Sequence, residues 1–169
     1  MPDSDDLLPR VDATGTDGPV DMLREEQLGY TAERPILQSL LNRPFRDRAF
    51  RRAVLSAYDR RCAITGWQLI NGGGRPEAEA AHIKPVASGG PDSVRNGLAL
   101  SGTAHWMFDR GLITLADDYI VLVSRQVNNR EEVERMINPS GRALVPNDDR
   151  LKPHPAFLAW HREEGPFKR

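Results

Sequence analysis

Four residues of this 169-residue chain have types and spacing suited to hydrolytic chemistry: His82, Asn96, His105 and Asp109. Asp109 follows His105 by four positions, so on a helix the two side chains share one face. A neutral imidazole and a carboxylate in that relation suit a divalent cation. Such an ion polarises a phosphoryl oxygen and stabilises the leaving oxygen of a phosphodiester. His82 has the chemistry to take a proton from an attacking water, because an ordinary imidazole titrates at about 6.5. Asn96 is then the residue whose amide either fixes the imidazole or closes the intervening loop. The chain has four histidines, and surface or core roles account for most histidines, so spacing alone does not single out this set.

The elements that must position these residues follow from periodicity. EAEAAHIKPV, residues 77–86, alternates and ends at a proline, which predicts a strand carrying His82 near its end. ASGGPDSVR, residues 87–95, predicts a loop, and 98–100 a second short strand. Ser101 stands where an N-cap belongs, ahead of a helix over about 102–110 that ends at Gly111. A strand, a loop, a strand and a helix fold this stretch back on itself, so that His105 is expected to face His82. Upstream, Phe50, Val54, Ala57 and Tyr58 recur at helical spacing over 46–59. A shorter helix is expected at 33–42, stopped before Pro44. Downstream, 112–115 and 119–124 predict a hairpin across Asp117-Asp118, followed by helices near 130–137 and 154–163 with GRALVP between them as a short strand. Residues 1–30 lack apolar periodicity and predict a disordered arm. The expected division is an arm over 1–43 and a folded domain over 44–169.

Net charge is −1, which by itself argues against a nucleic-acid ligand. Its distribution argues the other way. Residues 1–30 hold eight acidic and two basic side chains, whereas 33–62 hold eight arginines and three acidic residues. For phosphate binding, local sign matters more than the sum. The run Arg46 to Arg61 reads equally as a solvated helix face. Lys84, Arg95 and Arg110 flank the four residues above and are the expected DNA contacts. Mean hydropathy is −0.53, and no apolar run approaches the roughly 18 residues of a spanning helix, so no membrane partner is expected. The acidic N-terminus lacks a signal-peptide core, and the single cysteine, Cys62, leaves no internal disulfide. A cytoplasmic location is the corresponding expectation.

The stretch RRAVLSAYDRRCAITGW…EAAHIKPVASGGPDSVRNGLALSGTAHWMFDRGLI resembles the HNH (His-Asn-His) endonuclease family. His82-Ile83-Lys84-Pro85 is similar to that family's His-Ile-x-Pro strand, and Asn96-Gly97-Leu98-Ala99-Leu100 to its Asn-bearing segment. His105 follows Asn96 at the family's interval of nine. The likeness is greatest to the bacterial restriction-type branch, covers about residues 44–125 and extends to the tail FLAWHRE. It implies an α+β fold with a ββα-metal core, flanking helices and a β-hairpin. The implied activity is metal-dependent DNA cleavage, in restriction or defence. Implied roles are His82 as general base, Asn96 as its structural support and His105 as metal ligand, with Asp109 at a position that carries a second ligand in some members. The implied cofactor is one divalent ion, Mg²⁺ first, with Mn²⁺, Ni²⁺ or Zn²⁺ as alternatives. The alternative function is a degenerate HNH fold that binds DNA without cutting it.

Two departures from the family pattern bear on this. Where many members place Asp or His before the general base, this chain has Ala81. Glu79 is close by, but strand alternation puts it on the face opposite His82, which ranks it below Asp109. The Cys-x-x-Cys knuckles that bind structural zinc in many members are reduced to Cys62, since the second reads Ser101-Gly102-Thr103-Ala104. One thiolate cannot make a tetrahedral site, so no structural zinc is expected, and Trp67, Trp106 and Phe108 are expected to hold the fold. Cys62 reads as a small buried thiol rather than a nucleophile, and Gly72-Gly73-Gly74 as a hairpin tip rather than a phosphate loop. His154 and His161 read as core or surface residues. About 45 residues precede the nuclease-like region, too few for a DNA-reading module. Target choice is therefore expected from a separate specificity subunit or a homodimer, or is absent.

Overall fold

The computed structural model describes residues 34–167, with side chains described from Phe45 onward. The arm expected at 1–30 lies outside the described residues. By internal contacts the chain divides into two units, Met1–Leu37 and Gln38–Arg169, and the site and core belong to the second.

Helix α1, Arg34–Ala57, continues through Pro44, so the expected stop there is absent. A proline inside a helix forfeits one hydrogen bond and costs about 3 kcal/mol. That penalty is local and does not oblige the helix to end. The C-terminal half of α1 buries Phe50, Val54, Leu55 and Tyr58. Asp59 and Arg60 then take left-handed torsions, and Arg60 N–H donates to the Leu55 carbonyl at 2.7 Å, closing the helix.

Two short antiparallel strands form the centre: β1, Glu79–His82, and β2, Gly97–Leu100, with His82 opposite Gly97 and Glu79 opposite Leu100. Strand β1 is shorter than the sequence suggests. Beyond Ile83 its backbone groups are taken by the Asn96 side chain rather than by a partner strand. All four residues of β2 are buried because a helix covers each face. On one face α1 approaches so closely that a Cβ at Gly97 would lie 2.5 Å from Val54 Cγ2 and 3.1 Å from Phe50 Cζ, so only glycine fits. The buried Tyr58 hydroxyl donates to the Gly97 carbonyl at 3.2 Å, locking that contact. On the other face lies α2, Gly102–Asp109, capped by Ser101 and turning inward Ala104, Met107 and Phe108. The order β1, β2, α2 is a ββα unit.

The hairpin β3, Ile113–Leu115, with β4, Val121–Val123, follows as expected, as do α3, Arg130–Met136, and α4, Pro155–Glu163. The strand expected at GRALVP does not form. Arg142 makes one bridge to Ile120, then Ala143 N–H donates to Tyr119 and Leu144 N–H to Ala63. Its hydrogen bonds therefore go to different segments and build no ladder. The tryptophan expectation also fails, since Trp67 and Trp106 are 50% and 51% exposed. Helical spacing explains Trp106, which lies between the inward-facing Ala104 and Met107. Phe108, Ile64, Leu98, Leu100, Ile113, Leu115 and Leu158 fill the core instead, and Cys62 is fully buried among them.

His161 of α4 is buried between the Thr114 hydroxyl, 2.8 Å from Nδ1, and the Phe108 carbonyl, 3.1 Å from Nε2, and stacks on the Phe108 ring. Burial pushes its imidazole down to about 4, the neighbouring Arg162 adding to the effect and the Phe108 carbonyl opposing it. The native ring is neutral, whereas the unfolded chain takes up a proton at about 6.5. The unfolded state therefore binds more protons between these values, and stability falls as pH drops from about 6.5 towards 4, by on the order of 3 kcal/mol. Melting temperature followed across pH 4.5 to 7.5 is expected to rise more steeply for the native chain than for His161→Gln. Equal slopes would contradict a buried neutral His161.

Candidate active site

The loop between β1 and β2 is organised by one fully buried side chain. Asn96 Oδ1 accepts from Lys84 N–H at 2.9 Å, while Nδ2 donates to the Lys84 and Pro91 carbonyls, both at 2.9 Å. Of the two roles open to Asn96, the amide closes the loop and makes no bond to the His82 ring. The fold-back is tight: a Cβ at Gly90 would fall 1.8 Å from the Lys84 carbonyl oxygen.

This closure carries Asp92 to His82. Asp92 Oδ1 lies 2.9 Å from His82 Nε2. A carboxylate only accepts, so Nε2 carries the proton of this bond and Nδ1 is left with its lone pair. The ring also lies flat on Phe50 of α1, centroids 3.8 Å apart and planes within 7°. With its ring stacked and one nitrogen tied, His82 has a fixed orientation, and its side chain remains 22% exposed. An apolar hollow of about 350 Å³, lined by Arg46, Phe50, Asp92 and Val94, opens beside it.

A second cluster sits where α2 crosses β1. His105 Nε2 lies 3.4 Å from Asp109 Oδ2, one turn further along α2, and Nδ1 lies 3.3 Å from Glu79 Oε2. Two residues earlier, Glu77 Oε1 accepts from Gly102 N–H at 2.8 Å and fixes the start of α2. Successive strand residues point to opposite faces: His82 meets α1, and Glu79 meets α2. The expectation that His105 faces His82 is therefore corrected. His82 contacts Phe50 and Asp92, whereas His105 contacts Glu79 and Asp109, and both sets of residues are carried by the β1–β2–α2 unit and the helix packed on it. Among the described residues, no three His, Cys, Asp or Glu side chains converge as a ready-made metal cage.

The flanking cations are each engaged within the chain. Lys84 Nζ stands 5.4 Å over the Trp160 ring, and the Arg110 guanidinium 4.8 Å over Trp106. Arg95 Nε donates to the Lys152 carbonyl at 3.4 Å. A groove of about 670 Å³ opens beside Glu79, lined by Arg51, Gln68, Asn71, Arg75 and Glu77. Sequence reasoning missed Phe50, Asp92 and this groove, whose parts are far apart in the chain. Alternation put Glu79 and His82 on opposite faces of β1, and their partners, His105 and Phe50, lie on different helices.

Residues 62–116 match the family model described as HNH endonuclease. That segment belongs to the HNH endonuclease family. It contains His82, Asn96, His105 and Asp109, and the HNH assignment agrees with the ββα order of the elements around them. Among solved structures, a protein titled modification dependent TagI restriction endonuclease superposes with a TM-score of 0.53 at 24% identity, over 70% of this chain. At that identity the likeness concerns the fold. The match spans 38% of that protein's chain, well under half its length. No curated protein matches the sequence. No helix among the described residues is long and apolar enough to cross a membrane.

Proposed function

We propose that the chain is a metal-dependent DNA endonuclease in which His82 is the general base for phosphodiester hydrolysis. The observation that carries this reading is the His82–Asp92 pair. A free Nδ1 lone pair, on a ring stacked against Phe50 and tied through Nε2, is an imidazole prepared to accept a proton from water. Asp92 holds the tautomer and offsets the positive charge that the ring gains. Asn96 keeps the loop closed so that Asp92 stays in reach.

The donor set of the second cluster fits a divalent cation. Two donors at about 2.1 Å from one ion stand about 3.0–3.4 Å apart, and His105 Nε2 and Asp109 Oδ2 are 3.4 Å apart. With Ala81 buried and without donor atoms, His105 and Asp109 are the holding residues. Water and substrate phosphate would have to supply the other ligands, which suits Mg²⁺. When bound, such an ion supplies Lewis acidity at the phosphoryl oxygen and stabilises the departing one. Lys84, Arg95 and Arg110, with Arg51 and Arg75 in the groove, contact DNA phosphates, which gives salt-sensitive binding and little reading of bases.

Supercoiled plasmid incubated with Mg²⁺, Mn²⁺ or Ni²⁺ tests the reading. Nicking with at least one ion is expected, and an intact chain that cuts under none would overturn it. The His105→Ala variant should bind Mn²⁺ much more weakly by titration calorimetry than His82→Ala does, and equal affinities would contradict the division of roles. Ala81 favours a second reading, an HNH-fold module that binds DNA without cutting, for which plasmid is retained but never nicked. Restriction of foreign DNA, a cytoplasmic site of action, and a homodimer or specificity subunit that chooses the target complete the proposal.

A further inference from the structure

Glu79 has no role in the scheme above, yet its carboxylate is 3.3 Å from the ring nitrogen of His105 that faces away from Asp109. We propose that Glu79 is the positioning residue of the metal centre: it accepts the His105 Nδ1 proton and thereby presents Nε2 as the metal-binding nitrogen. The inference rests on the reading of His105 and Asp109 as the holding pair.

Three observations carry it. First, of the two carboxylates beside the ring, Glu79 stands in hydrogen-bonding geometry, 3.3 Å from Nδ1, whereas Asp109 is at ion-pair distance only, so a neutral imidazole, with its one N–H, carries that proton on Nδ1. Second, Nε2 then bears the lone pair and lies 3.4 Å from Asp109 Oδ2. Two electron-rich atoms face each other there, an arrangement that calls for a cation between them. Third, Glu79 cannot share that cation directly, because it lies on the other side of the ring, and no three such side chains converge among the described residues. A histidine that donates its second N–H to a carboxylate is a better and better-aimed metal ligand.

The strand and helix explain why this residue is available. Glu79 stands two positions before Ala81, on the same face of β1, and that face carries α2. Where Ala81 offers no ligand, the strand still contributes to the centre, from two residues upstream and through His105. Glu77, two residues further back, caps α2 and fixes the height at which His105 meets Glu79.

The test uses the full chain, Mn²⁺ calorimetry and ¹⁵N–¹H correlation of the histidine rings. In the native chain without metal, Nδ1 of His105 is expected to carry a proton, and in Glu79→Ala that preference is expected to vanish. Mn²⁺ affinity should fall about 10- to 100-fold in Glu79→Ala, with most of it restored in Glu79→Gln, whose amide oxygen still accepts. In a His105→Ala background, Glu79→Ala should cost nothing further. A loss there as large as in the native background would make Glu79 a direct ligand and overturn the proposal. So would Mn²⁺ binding through His105 that is indifferent to Glu79→Ala. A native chain that shows the Nδ1 proton but binds no Mn²⁺ would instead sink the metal centre itself, and the role of Glu79 in it.

Discussion

Replacing His82 by alanine is expected to lower the rate of plasmid nicking by about 10²- to 10⁴-fold, the range for a general base, with DNA affinity nearly unchanged. Filter binding beside single-turnover cleavage measures the two separately. The neighbouring carboxylate sharpens the prediction. Asp92→Ala removes the group that holds Nε2–H, so the ring loses its tautomer preference. Asp92→Asn should be the more damaging change, because its amide N–H can donate to Nε2 and drive the proton to Nδ1, where the base is needed. In a His82→Ala background neither change should matter, since Asp92 acts through the ring. Cleavage by His82→Ala at the native rate would remove His82 from the chemistry. A further loss on adding Asp92→Ala would show that Asp92 acts independently.

Asn96→Ala is expected to be the most destabilising single change at the site. It strands the Lys84 N–H, the Lys84 carbonyl and the Pro91 carbonyl around a fully buried position. Unsatisfied buried partners cost about 1–3 kcal/mol each, so a loss of about 3–5 kcal/mol is expected, with a fall in Tm of about 10 °C. Asn96→Asp should not rescue, because a carboxylate keeps the acceptor for Lys84 N–H but places charge against two carbonyls. Cleavage should fall in parallel, since the released loop carries Asp92 away from His82. A variant with native Tm and no activity would show instead that Asn96 acts on substrate.

The chemistry of the site is largely legible in the chain itself. His105 and Asp109 share a helix face because 3.6 residues make a turn, and that pairing needs no tertiary contact. Ser101 as N-cap, the Asp117-Asp118 turn and the burial of Phe50, Val54 and Tyr58 are readable for the same reason: each depends on residues within a few positions of one another. Alternation alone likewise puts Glu79 and His82 on opposite faces of β1.

What alternation cannot state is which element covers which face. The tertiary structure decided that α1 packs on the His82 side and α2 on the Glu79 side, which set Glu79 beside His105. It also brought Asp92 to His82 through a loop whose closure depends on Asn96, three hydrogen bonds that leave no periodic trace in sequence. Pro44 and the two exposed tryptophans follow the same logic, since propensity sets only a local cost and burial depends on what lies opposite. Sequence thus determined the pairing of His105 with Asp109 and the local elements around it, because those follow from backbone repeat. Only the packing of α1 and α2 about the β1–β2 ribbon decided which carboxylate serves which histidine, because that pairing joins residues 10 and 26 positions apart.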